Sequence, residues 1–194
     1  MCIRDRLQII KDEENIPVYN LSAEVVENNL NRLWGKKMGA DGSKTARTIR
    51  WVLASLSDFN GQLQARDIVR FLQYATEDFN IKKEYQDRLL TPDIMKKAVI
   101  KASETKLREV KDEIHQLAGS FEKLESIPSS KKQVPLLQDV LDSLPNEDIK
   151  ALERFGYLKE ADDEYYIAEN IRYALGYNKT RRGGSKLVSL LVTK

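Results

Sequence analysis

Residues 145–176, PNEDIKALERFGYLKEADDEYYIAENIRYALG, decide how this chain is read, because here its rhythm changes. Pro145-Asn146 marks a helix start, where proline's missing N–H costs nothing, and Gly156 marks the stop. The next stretch, YLKEADDEYYIA (157–168), reads as two short strands around an acidic turn, and ENIRYALG (169–176) as a closing helix. A short helix, PLLQDVLDSL (135–144), precedes them. The order is helix, helix, hairpin, helix.

Upstream, IPSSKKQVP (127–135) reads as a linker. Residues 91–126 are expected to form one long amphipathic helix, with Thr91 as N-cap and Pro92 in its first turn. Leu107, Val110, Ile114, Leu117, Phe121 and Leu124 follow a 3-4-3-4-3 spacing. That seam is shorter than three heptads, so packing against a helix of the same chain is expected, with a coiled-coil dimer as the alternative. Residues 7–90 carry three shorter patterns: LSAEVVENNLNRLWGKKM (21–38), SKTARTIRWVLASLSD (43–58) and QARDIVRFLQYATEDF (64–79), separated by glycine-containing turns. They predict a small helical bundle with Val25, Val26, Leu30, Leu33 and Trp34, then Ile49, Val52, Leu53 and Leu56, then Ile68, Phe71, Leu72 and Ala75 as its apolar faces.

With 194 residues, 41% hydrophobic and 32% charged, the chain has the composition of a globular protein. Its longest apolar run near the C-terminus, LVSLLV (187–192), is far below the roughly 20 residues of a membrane span, so no membrane partner and a cytoplasmic location are expected. The net charge of +2 hides an asymmetry. Residues 177–194 contain Lys179, Arg181, Arg182, Lys186 and Lys194 and no acid, so the rest of the chain sums to −3 and residues 178–194 form a basic tail. The only cysteine is Cys2, which excludes an internal disulfide framework. MCIRDR (1–6) matches the translation of a transposon end used in library preparation, so a non-native scar is expected there, with the natural protein continuing upstream.

GADGSKTAR (39–47) echoes a phosphate-binding loop, but Ser43 separates Gly42 from Lys44 and the preceding segment is helical, so it reads as a turn between helices. RRGGSKL (181–187) fails in the same way. His115, the only histidine, lies one residue past the Ile114 seam position and reads as solvent-flanking; a single histidine supports neither a triad nor a histidine-based zinc site. Asp162-Asp163-Glu164 reads as solvated turn charge. Arg66 and Arg70 are different: four residues apart, they share a helical face near the start of their helix, with Asp67 placed to pair with Arg70.

The pattern Gly61, Arg66, Asp67, Arg70, Phe71, Leu72, Ala75 resembles the third helix of the helical lid that follows the nucleotide-binding core in P-loop ATPases of the AAA+ and STAND groups. LWGKKMGADGSKTARTIRWVLASLSD (33–58) resembles the preceding lid segment and AVIKASETKLREVKDEI (98–114) the helix that follows. LERFGYLKEADDEYYIAENIRYALG (152–176) resembles the winged helix with which such proteins often end. The resemblance, over residues 25–177, implies a mainly α fold: a lid-like bundle, a long connecting helix and, at 136–177, a winged-helix domain with a short β-hairpin. It also implies that Arg66 or Arg70 senses the nucleotide's terminal phosphate. The phosphate-binding loop and the magnesium-holding acidic strand are missing from these 194 residues. The implied chain is therefore non-catalytic and cofactor-free, with ATP and Mg bound by a parent whose N-terminal ATPase core is the partner and which is open to homo-oligomerisation.

Two other readings stand beside this one. A DNA-binding regulator would use EDIKALERF (147–155) as its recognition helix, yet Glu147, Asp148 and Glu153 outnumber Lys150 and Arg154. Nucleic-acid contact then falls to the tail cations Lys179, Arg181, Arg182 and Lys186. The third reading is a helical adaptor with no nucleotide chemistry.

Overall fold

In the computed structural model, residues 22–39, 44–77, 85 and 87–180 are described. They form a mainly helical protein with eight α-helices and two two-stranded sheets. Helix α1 (Ala23–Trp34) starts at Ser22, whose Oγ accepts the Val25 N–H at 3.3 Å, and ends at Gly35 with φ of 77°. Arg88 explains why glycine stands there: a Cβ on Gly35 would lie 2.2 Å from its Cζ. The buried Arg88 guanidinium donates to the carbonyls of Lys37 at 2.6 Å and Gly39 at 3.1 Å, in the segment that follows the helix. Helix α1 buries only Trp34, and the expected apolar positions Val25 and Val26 are exposed.

Helix α2 is shorter than its pattern, spanning Thr48–Leu56, because a bridge between Lys37 and Arg47 holds the preceding residues extended. It buries Thr48, Val52, Ser55 and Leu56, while the expected Leu53 is exposed. Helix α3 (Ala65–Glu77) buries Phe71, Ala75 and, unlike the apolar pattern, Asp67.

Helix α4 (Pro92–Glu113) has the expected start, with Thr91 Oγ1 accepting from Ile94 N at 3.5 Å. The single helix expected over 91–126 is two. It breaks at Ile114 (φ −123°, ψ 75°), and α5 (His115–Ser126) sets off in a new direction. The break bends the apolar seam without interrupting it: Leu107, Val110, Leu117, Phe121 and Leu124 are all buried in one intramolecular core, with Ile114 packed against it. One straight rod would not wrap the same core from two sides.

Residues 127–135, expected as a linker, form a 3₁₀ turn (Ser129–Lys131) and strand β1 (Gln133–Val134), and Val134 is buried. Then follow α6 (Gln138–Asp142), α7 (Asn146–Arg154), β2 (Leu158–Ala161), β3 (Glu164–Ile167), α8 (Glu169–Leu175) and β4 (Asn178–Lys179). β2 and β3 pair antiparallel, Leu158 opposite Ile167, through a tight turn in which Asp162 and Asp163 take φ of 53° and 60°. β1 pairs parallel with β4, Gln133 opposite Asn178, and Leu136 N donates to Tyr165 O at 2.9 Å, tying the exit of β1 to β3.

Two cores share α4. The first holds Trp34, Val52, Leu56, Phe71, Ala75 and the α4 residues from Ile94 to Ala102. The second holds Leu107, Val110 and the inner faces of α5 to α8. Phe59, from the α2–α3 turn, crosses into the second core; its N–H donates to Gly156 O at 2.9 Å, and Asn60 Nδ2 donates to Arg154 O at 3.1 Å. Helix α8 lies along α4, where Ala174 N donates to Ser103 Oγ at 3.1 Å.

Candidate functional site

The two sequence-selected arginines lie on the α3 face that meets α4, and carboxylates of α4 engage both. Arg70 donates through both Nη atoms to the two oxygens of Glu109, a fork-on-fork pair. Arg66 reaches the same carboxylate, Nη2 to Glu109 Oε2 at 3.2 Å, and also Glu113 Oε1 at 3.4 Å and Gln64 Oε1 at 3.0 Å. Their side-chain exposures separate them: 42% for Arg66 against 23% for Arg70.

The expected Asp67–Arg70 pair is replaced. Asp67 Oδ2 instead accepts from Lys106 Nζ at 2.9 Å, with both side chains buried, and Lys106 also donates to Gln64 Oε1 at 2.9 Å. The i,i+3 rule describes an isolated helix; here α4 brings a cation and a carboxylate onto the same surface, and buried partners win over solvated ones. Electrostatics follow the contacts. The hydrogen bond from Arg70 holds the Glu109 carboxyl below its ordinary range, with the nearby charges of Arg70, Arg66 and Lys106 acting in the same direction and burial opposing. The reciprocal bond raises Arg70.

Beside this seam lies a cleft of about 230 Å³ whose walls include Asp58, Gln64, Lys106, Glu113, Tyr157 and Asn170. Burial pushes the Tyr157 hydroxyl up to about 12, reinforced by the charges of Asp58, Asp67 and Glu113. Two carboxylates against one ammonium make the cleft unfavourable for an anion. A phosphate would meet Arg66 on its solvent side.

The remaining candidates are dispersed. Lys179 is bound: its Nζ lies 2.9 Å from Glu169 Oε2, and Glu169 also accepts from Arg172 Nε at 2.7 Å. Arg181, Arg182 and Lys186 lie outside the described residues, as do residues 40–43 of the loop-like echo. His115 is exposed at the first position of α5. Among the described residues there is no group of three or more metal-capable side chains, and no helix long and apolar enough to cross a membrane.

Sequence reasoning missed Lys106, Glu109 and Glu113. A signal was present: their spacing of three and then four puts them on one stripe of α4 beside the apolar seam, opposite in sign to Arg66, Asp67 and Arg70. No protein-family model matches this chain, and no curated protein and no solved structure is detectably similar to it.

Proposed function

We propose that this chain is the C-terminal, non-catalytic part of a P-loop ATPase, with α1–α4 as the lid and Arg66 as the residue that senses the terminal phosphate. One observation carries the reading: Arg66, second residue of α3, is the more exposed guanidinium of the seam, and its contacts with Gln64, Glu109 and Glu113 run from 3.0 to 3.5 Å. Arg70 is held on both nitrogens and serves as its support. A guanidinium fork suits phosphate oxygens, and fixed charge at a transferring phosphoryl group stabilises the transition state.

The order α5, β1, α6, α7, β2, turn, β3, with the exit of β1 tied to β3 by the Leu136 N–Tyr165 O hydrogen bond, supports a winged-helix reading of the second half. That unit would begin at α5 and not at residue 136. Because α4 serves both cores, a lid that moves on nucleotide binding carries the second half with it. Catalysis and Mg-ATP binding belong in this reading to an ATPase core outside these 194 residues.

A helical adaptor is the second reading, favoured by the fact that both arginines already have carboxylate partners. The experiment that separates them is independent genomic sequence read across the Arg6–Leu7 junction, followed by ATP turnover of the joined protein. An in-frame phosphate-binding loop upstream, and turnover cut at least tenfold by Arg66→Ala, support the ATPase. A native start at Met1, or equal turnover, returns the adaptor.

A further inference from the structure

We infer that Glu109 acts as an internal clasp: its carboxylate occupies the anion site made by Arg66 and Arg70, and an incoming phosphate binds by displacing Glu109 from Arg66. This deepens the phosphate-sensing reading and rests on it.

The geometry is asymmetric in the way such a device requires. Glu109 uses both oxygens on Arg70, and Oε2 also takes Arg66 at 3.2 Å. Two guanidiniums converge on the one Glu109 carboxylate, with Glu113 farther from Arg66, and a phosphate carries more charge and more acceptor oxygens than a carboxylate. Arg66 can therefore exchange one anion for the other while Arg70 stays on Glu109. Nearby Asp67 cannot take over as a competitor, because Lys106 and burial hold it. Glu113 is the secondary clasp: it reaches Arg66 at 3.4 Å and is more exposed than Glu109. Below the seam the acidic cleft repels an anion, so release of Arg66 opens it only toward solvent.

The test is titration of the full chain with inorganic tripolyphosphate, followed through the arginine side-chain N–H signals by NMR. Wild type is expected to bind weakly. Glu109→Gln should bind at least tenfold more tightly, Glu113→Gln with a smaller gain, and Glu109→Gln with Arg66→Ala should lose the gain. Glu104→Gln makes the same change of charge at an exposed α4 position and should leave the affinity at the wild-type value. If Glu109→Gln unfolds the chain, Glu109→Asp keeps the charge but loses one methylene of reach, and the tenfold gain is expected there. Equal affinity of wild type and the Glu109 variant, a gain matched by Glu104→Gln, or a gain that survives without Arg66 would each overturn the clasp. None of these outcomes touches the upstream sequence or the turnover of Arg66→Ala, so the phosphate-sensing reading stands or falls separately.

Discussion

Helix α4 is held by two seams of different chemistry. Against α3 it offers Lys106, Glu109 and Glu113 to Asp67, Arg70 and Arg66. From the same turns, and together with α5, it supplies Leu107, Val110, Leu117, Phe121 and Leu124 to a core closed by Tyr157, Tyr166, Ile171 and Tyr177. Apolar burial is non-directional and proportional to area, so the second seam tolerates small rotations and resists salt. Charged seams depend on direction and on the ionisation of each partner. The first seam is thus the one that another anion, or a change of pH, can rearrange while the second holds the molecule together.

The largest expected effect breaks the apolar side. Phe121 is fully buried and meets Tyr157 edge-on with ring centroids 5.7 Å apart. Phe121→Ala should cost about 3–5 kcal/mol, read as a lower urea midpoint that does not depend on salt. A loss below 1 kcal/mol would mean that this core is not the main support.

On the charged side, Lys106→Met leaves the buried Asp67 carboxylate without its cation and should cost about 3 kcal/mol. The double variant Lys106→Met with Asp67→Leu removes the stranded charge and should recover most of that loss. If the single and double variants are equally unstable, packing and not charge sets the seam.

The joint between the two halves is tested at Gly156, whose φ of 75° favours glycine and whose added Cβ would meet Asn60 Nδ2 at 2.8 Å. Gly156→Ala should cost about 1–2 kcal/mol from the left-handed backbone. Hydrogen exchange should then rise at Phe59 and Asn60 before it rises in α5. Uniform exchange would mean that the halves open together.

The smallest effect comes from Arg66. Arg66→Ala should change stability by about 0–1 kcal/mol, measured by thermal unfolding at low and high salt. Its pH signature belongs to Glu109, whose folded pKa is depressed chiefly by Arg70. The stability it lends is complete above its unfolded value, about 4.3, and is lost as pH falls through the lower folded value. Glu109→Gln should remove that part of the acid limb. An unchanged limb in the variant would assign acid sensitivity to other carboxylates.

Local signals made much of this fold legible. Ser22, Thr91 with Pro92, Gly156 and the Asp162-Asp163 turn act within a few residues of themselves, and each stands where its chemistry put it. The stripe from Leu107 to Leu124 was legible as a buried seam but not as a bent one, because periodicity carries no information on where a helix breaks. Val25, Val26 and Leu53 misled for a related reason: an apolar stripe needs a facing surface, and tertiary packing supplies or withholds it. Arg66 and Arg70 were legible as a pair on one face, whereas the identity of their partners required a helix some 40 residues away.

By itself, then, the sequence determined the helical content, the hairpin and its turn, the capping of α1 and α4, and the separation of a mildly acidic body from a basic tail. Those properties depend on neighbours within one or two turns of chain. Only the tertiary structure decided that α4 serves two cores, that β1 joins β4, that Asp67 is neutralised by Lys106 and that Glu109 holds both arginines. Those outcomes arise from long-range pairing, where the winner is the partner that folding brings within hydrogen-bonding distance and removes from water.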